Sequence, residues 1–164
     1  AIENIGDPCV KRFQGPLLEA KYNDSFFDVI YIGHTFDRLI NLKEIIIELN
    51  RILKDDGVIL ITLPNIDCFC AKVFGDKFRL LYSNHLVYFS PKTLDKLFNE
   101  VGLQVVEVRY PFFKTSFFLW HVFLKDVGKI ILQIGFNVLG IKVKMVSPPF
   151  WGNVMSVVIK RNFN

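Results

Sequence analysis

Two histidines stand where a regular element meets a loop. His34 directly follows the apolar run Phe27 to Gly33, FDVIYIG, which has the length and the β-rich content of a strand buried on both faces. The carboxyl end of such a strand is the edge at which open α/β sheets bind ligands. An imidazole at that edge is suited to accept a proton from a reacting oxygen. His34 is therefore a candidate catalytic residue, with a structural histidine as the alternative.

A second histidine, His85, lies in the loop before the second clear helix. Its polar neighbours along the chain are Tyr82, Asn84 and Tyr88. This composition indicates a loop that faces a substrate, with His85 as a catalytic candidate; packing and helix capping are the alternative. The third histidine, His121, lies in an apolar helical stretch and is interpreted as structural or interfacial.

The elements that position these histidines follow from hydrophobic periodicity. Residues 41–53 carry one apolar helical stripe, with Asn41 as the expected N-cap. Gly57 is expected to end this helix in a left-handed turn. Val58 to Leu63, VILITL, then forms a second apolar strand. Strand, helix and strand in this order predict a βαβ unit and a parallel sheet.

The second half of the chain starts with a helix at Ser90 and Pro91, where serine fits the N-cap and proline the first turn. Leu103 to Tyr110 and Val154 to Ile159 are predicted strands. We expect a single partial domain over residues 1–164, with residues 112–150 as a helical insertion before the last strand.

Residues 112–141 are rich in apolar and aromatic side chains. Their charge-free stretches are shorter than the roughly 18–20 residues that a membrane span requires. The pattern predicts one or two helices that face the core or a dimer partner. The alternative is a surface that meets lipid or a lipid-linked substrate.

Composition and charge exclude several classes of function. The 164 residues are 51% hydrophobic and carry a net charge of +4, which predicts a globular domain rather than a disordered chain. Because the basic residues are scattered, no nucleic-acid partner is expected. Cys9, Cys68 and Cys70 fit neither a disulfide framework nor a zinc site, so free buried thiols and no bound metal are expected.

Five segments, in order, resemble the later part of the class I S-adenosylmethionine-dependent methyltransferase family (types 11, 12 and 23). Asp24 to Ile30 is similar to its D-x-S-F-D-V-I strand entry, and residues 34–39 to its H-V-L-E-H-L segment. Leu49 to Asn65 resembles a helix end, strand and P-N stretch. Residues 85–94 resemble H-L-x-x-F-S-P-x-T-L, and residues 147–153 resemble a P-P-x-x-G-N element.

This resemblance implies a truncated Rossmann-like α/β fold, with a partly parallel sheet, flanking helices and an added aromatic helical region. It implies S-adenosyl-L-methionine as cofactor. No G-x-G occurs in the sequence, so the family's glycine-rich cofactor motif is missing and the chain is expected to be a piece of a longer one or a divergent copy. The cofactor-binding residues that the resemblance implies are Asp7, Gln14, Gly15, Leu17, Gly33 and His34.

The resemblance further implies methyl transfer to a small molecule or glycan, and the P-P-x-x-G-N ending suggests a glycan or a lipid-linked glycan intermediate. Arg79, Lys77, Trp151 and Asn153 are candidates to line the acceptor pocket. The alternative is a non-catalytic module that acts through oligomer or membrane-surface contacts. A cytoplasmic protein is expected, with peripheral membrane contact as an option. An unpaired sheet edge predicts a homodimer, unless residues 112–141 cover that edge.

Overall fold

A mixed four-stranded sheet forms the centre of the protein. The computed structural model describes residues 13–112, 119–143 and 145–162. The strands are β1 (Phe27–Gly33), β2 (Leu53–Pro64), β3 (Leu103–Arg109) and β4 (Val154–Arg161), in the order β1-β2-β4-β3. β1 and β2 are parallel, whereas β4 runs antiparallel to both of its neighbours. The truncated Rossmann-like fold with a partly parallel sheet is confirmed.

In the described part of the chain, four α-helices and three short 3-10 helices accompany the sheet. The α-helices are α1 (Leu42–Ile52), α2 (Phe69–Phe74), α3 (Pro91–Asn99) and α4 (Trp120–Val138), and the 3-10 helices are Leu17–Glu19, Phe36–Arg38 and Gly75–Lys77. Where residues 112–141 are described, they form the helix α4, which packs against α2.

The main core lies on one face of the sheet. Ile59, Ile61 and Leu63 alternate along β2, are fully buried, and pack with residues of α1 and α3 such as Leu49 and Phe98. Each such side chain contributes about 1.5–3 kcal/mol by leaving water. Because both helices contribute side chains to this one cluster, the core joins α1 and α3 to the same face of the sheet.

The opposite face of β1 is exposed, which corrects one sequence prediction. Val29 and Tyr31 are 56% and 66% exposed, while Ile30 and Ile32 pack against the core. The prediction of a strand buried on both faces was wrong, because α1 and α3 cover the same side of the sheet. Among the described residues, β1 also pairs with β2 alone.

Gly57 does not end a helix. α1 ends at Ile52 and β2 begins at once with Leu53, so Gly57 lies inside the strand. There the pairing of β1 with β2 shifts register. A Cβ at this buried glycine would lie 2.7 Å from the Leu53 side chain and 2.9 Å from the Lys54 carbonyl oxygen. Close approach, rather than a left-handed conformation, requires glycine here.

The two predicted helix starts differ in their capping. Asn41 precedes α1 in a left-handed conformation with φ of 58°, but its side chain makes no capping bond. Ser90 precedes α3 in a reciprocal capping box. The Ser90 hydroxyl accepts from the Thr93 N–H at 3.2 Å, and the Ser90 N–H donates to Thr93 Oγ1 at 2.8 Å. This box fixes the chain direction at the start of α3.

We expect Ser90→Ala to lower the free energy of unfolding by about 1 kcal/mol, because the Thr93 N–H loses its capping acceptor. Urea titration followed by circular dichroism measures the change. Ser83→Ala, in an exposed turn, is the matched control and should change stability by less than about 0.5 kcal/mol. Equal effects of the two substitutions would show that the capping box does not stabilise α3.

Candidate functional site

The carboxyl end of β2 organises the candidate site. The Asn65 N–H donates to the Asn153 carbonyl at 2.9 Å, and its side-chain Nδ2 donates to the Gly152 carbonyl at 3.1 Å. The next N–H, of Ile66, donates to the Phe89 carbonyl at 3.0 Å. Three loops that are distant in sequence therefore meet at two consecutive residues, Asn65 and Ile66.

His34 lies at this edge, directly after β1. Its backbone N–H donates to the Thr62 carbonyl of β2 at 2.7 Å, and its φ is 53°. A left-handed conformation is uncommon for a residue other than glycine and costs about 1–3 kcal/mol, so it persists only where neighbouring bonds impose it. The β1–β2 pairing imposes it here and directs the chain out of the sheet.

A cavity of about 350 Å³ opens beside His34. Its walls come from the end of β2, the start of β4 and the loops around them. They combine aromatic rings and prolines with two side chains able to carry positive charge, His34 and Arg79. The lining residues are His34, Thr62, Arg79, Leu80, Tyr82, Pro111, Phe112, Pro149, Phe150, Asn153 and Val154.

Two of the four predicted acceptor-pocket residues, Arg79 and Asn153, line the cavity. Asn153 is nevertheless committed to the fold, since its Nδ2 donates to the Pro148 carbonyl at 3.0 Å and its Oδ1 faces Cys68 Sγ at 3.6 Å. Lys77 and Trp151 do not line this cavity. Lys77 pairs with Asp76 at 2.6 Å, and Trp151 packs edge-on against Tyr110.

His85 is buried beside the cavity rather than lining it. Its side chain is 3% exposed, and its Nδ1 lies 2.8 Å from Oδ2 of the equally buried Asp37, although the N–H is not ideally aligned for a hydrogen bond. Arg38 approaches Nε2 at 3.2 Å. A guanidinium only donates, so Nε2 accepts and the ring proton lies on Nδ1, toward the carboxylate.

Sequence reasoning missed Asp37, although it fits a simple signal. An acid that follows β1 by a few residues, together with a histidine before α3, fits a pair that links two loops at one edge. The Asp37 carbonyl also accepts from the N–H groups of Leu86 and Val87 at 2.9 and 3.2 Å. The His85 ring stacks on Tyr88 and lies tilted against Tyr82, so the pair fixes the loop that carries the Tyr82 wall of the cavity.

None of the other predicted cofactor residues that the structure describes lines this cavity. Gln14 and Gly15 are exposed, Leu17 packs against the main core, and Gly33 is half-buried at the end of β1. Asp7 lies outside the described residues. Their role in cofactor binding remains a prediction.

The described cysteines are free buried thiols, as predicted. Burial raises the pKa of Cys68, and it raises the pKa of Cys70 to about 12. Both therefore stay protonated near neutral pH and are poor nucleophiles. Cys9 lies outside the described residues. Within residues 13–112, 119–143 and 145–162, no cluster of histidine, cysteine and acidic side chains has a geometry that holds a metal ion.

An open α/β sheet with a ligand-sized cavity at its carboxyl edge defines a Rossmann-like binding domain. Residues 6–108 match the family model of the methyltransferase domain, and the chain belongs to that family. S-adenosyl-L-methionine is the cofactor of this class. No curated protein of significant similarity was found.

Solved structures show the same fold at low identity. A SAM-dependent methyltransferase from Thermotoga maritima is 16% identical, with a TM-score of 0.52 over 87% of this chain and 59% of that one. A chain of the Haloferax volcanii complex between the Trm112 methyltransferase activator and a methyltransferase is 12% identical, with a TM-score of 0.55 over 87% and 57%. The [4+2]-cyclase SpnF is 12% identical, with a TM-score of 0.52 over 88% and 54%. The chain thus spans less than two thirds of these neighbours.

We expect Asp37→Ala to destabilise the protein by about 1–3 kcal/mol, because the buried Nδ1–H of His85 loses the carboxylate that faces it. The double variant Asp37→Ala/His85→Ala should lose less than the sum of the two single changes, by at least about 1 kcal/mol. Denaturant unfolding measures this coupling.

Asp76→Ala is the control for this cycle, since Asp76 is exposed and pairs with Lys77. Its loss should cost at most about 1 kcal/mol. Additive effects of the Asp37 and His85 substitutions would contradict a coupled pair.

Proposed function

We propose that this chain forms the acceptor-binding part of an S-adenosylmethionine-dependent methyltransferase, and that its acceptor is a glycan or a lipid-linked glycan intermediate. The observation that carries the proposal is the cavity at the carboxyl edge, where His34 and Arg79 stand among aromatic rings. Membership of the methyltransferase domain family supports the reaction class. The glycan is inferred from the chemistry of the cavity walls and from the P-P-x-x-G-N ending.

The described residues fit only one side of a cofactor site. Gly33 and His34, at the end of β1, occupy the sheet edge that the resemblance assigns to the cofactor. The glycine-rich turn that would receive the methionine carboxylate is absent from the sequence, and Asp7 lies outside the described residues. The cofactor, when bound, supplies an electrophilic methyl group. We derive no step through it, and the proposal concerns the acceptor.

The cavity suits an acceptor that has both a flat apolar face and an anionic group. Phe112 and Phe150 lie with ring centroids 5.9 Å apart and provide surfaces on which a sugar ring can pack. Arg79 provides a guanidinium that recognises a carboxylate or a phosphate. Its backbone N–H donates to Ser147 Oγ at 3.0 Å, which holds the start of the side chain in place.

In this proposal His34 acts on the acceptor hydroxyl. Methyl transfer requires the nucleophile to be held in line and water to be excluded, and an oxygen nucleophile must also lose its proton. The exposed His34 ring at the cavity mouth is placed to accept that proton. His85, buried against Asp37, acts as a positioning residue for the Tyr82 loop.

The first test is calorimetric titration of the 164-residue chain with S-adenosylhomocysteine. We expect micromolar binding, and then transfer of a tritiated methyl group to glucuronic acid or sugar phosphates. His34→Asn should lower kcat by about 10²–10⁴-fold, because asparagine tolerates the left-handed conformation but cannot act as the base. A folded chain that binds neither S-adenosylhomocysteine nor glucuronic acid nor a sugar phosphate would favour the non-catalytic module.

Arg79 tests the acceptor class separately. Arg79→Ala should raise KM for an anionic acceptor by about 10–100-fold, because a charge-assisted contact is lost. KM for the uncharged parent sugar should stay unchanged. Lys77→Ala, a neighbouring cation that does not line the cavity, is the matched control and should leave both constants as they are. An equal rise in KM for charged and uncharged sugars would rule out an anion-binding role.

A further inference from the structure

The helix α4 buries polar residues. Asp126 and Gln133 are only 8% and 7% exposed, and both face the rest of the protein. Gln133 Nε2 donates to Asn137 Oδ1 at 2.8 Å, and Asn137 Nδ2 donates to the Val73 carbonyl of α2 at 2.8 Å. Burial raises the pKa of Asp126. One hydrogen bond therefore joins the inner face of α4 to α2, beside the apolar contacts that Ile130 and Phe123 make.

The outer face of α4 is apolar. At about 100° per residue, its large aliphatic side chains fall on one arc of roughly 160°. Val138 is 80% exposed and Leu124 68% exposed, values typical of surface lysines rather than of aliphatic residues. We call this surface the α4 apolar face; it consists of Leu124, Ile131, Leu132, Ile134, Val138 and Leu139.

This distribution is the reverse of that in a helix that only covers a core. A surface helix of a globular protein places its apolar stripe inward and its polar side chains outward. Single exposed aliphatic residues are common, but a contiguous set on one helix marks a contact with another apolar medium. The α4 apolar face is therefore suited to a contact outside the described fold.

The charges around the α4 apolar face indicate which kind of apolar medium it would contact. Lys125 and Lys129 lie along one border of the arc, and Lys142 follows the helix. The only acid of α4 is Asp126, which is buried on the inner side. An apolar arc bordered by lysines complements a bilayer with anionic headgroups, where acyl chains receive the aliphatic residues and phosphates attract the ammonium groups.

No helix in the described part of the chain is long and apolar enough to cross a bilayer. An amphipathic helix with a broad apolar arc can instead lie in the plane of the interface. We propose that α4 docks the protein on an anionic membrane surface through the α4 apolar face, with Lys125 and Lys129 at the headgroups. This inference does not depend on methyl transfer.

Vesicle co-sedimentation of the whole chain tests the proposal. We expect binding to vesicles of equal parts phosphatidylcholine and phosphatidylglycerol, weaker binding to phosphatidylcholine alone, and release by salt. Leu124→Asp/Ile131→Asp should lower binding at least tenfold. The matched control, Ile40→Asp/Ile47→Asp, adds the same charge at exposed aliphatic residues outside the face and should lower binding much less.

A second variant reverses the positive charges and leaves the aliphatic residues of the α4 apolar face in place, so it tests the electrostatic contribution separately from the apolar one. Lys125→Glu/Lys129→Glu should abolish the preference for anionic vesicles, with a loss of roughly tenfold or more. Circular dichroism checks that each variant is folded. Equal loss in the aspartate variant and its control would overturn the proposal. So would a failure to bind vesicles together with a dimer, in sedimentation equilibrium, that Leu124→Asp/Ile131→Asp dissociates, since a second copy would then cover the face.

Discussion

The hydrogen bonds of Asn65 are the constraint on which the site depends. This amide is 4% exposed, so its polar atoms must find partners within the protein. Its Nδ2 donates to the Gly152 carbonyl in the loop that leads into β4, and its Oδ1 accepts from the Asp67 N–H. The neighbouring Ile66 N–H donates to the Phe89 carbonyl in the loop that leads into α3. The end of β2, the start of β4 and the start of α3 are thereby held together, and the cavity is the space between these loops.

The segments that carry the family resemblance contact each other in pairs. Pro64 and Asn65 end one motif, and the Gly152 and Asn153 carbonyls of another accept from Asn65. Asp37, from the segment after β1, contacts His85, from the segment before α3. Each motif is weak evidence by itself because its chemistry is completed by a distant partner. Their joint occurrence reflects one network of contacts at the sheet edge.

Periodicity predicted the strands and the long helices because their apolar stripes are continuous. It missed α2, whose six residues are too few for a stripe. It also misjudged β1, since an apolar run does not reveal whether helices cover one face or both. The position of His34 after a strand was sufficient to place it at the sheet edge. The pairing of Asp37 with His85 was not predicted: the sequence shows an acid after β1 and a histidine before α3, but whether they meet depends on how two loops 48 positions apart pack.

The helix α4 lies between the cavity at the sheet edge and the proposed membrane surface. Phe123 of its inner side stacks on Phe150, a wall of the cavity, at 5.8 Å and nearly parallel. Burial raises the pKa of Asp126, and the positive charges of Lys129 and, to a smaller extent, Arg79 partly offset this rise. Its outer side is the apolar face. In the proposed arrangement, one helix would therefore contact the bilayer and support the pocket, so an acceptor carried on a lipid would reach the cavity along the side that faces the membrane.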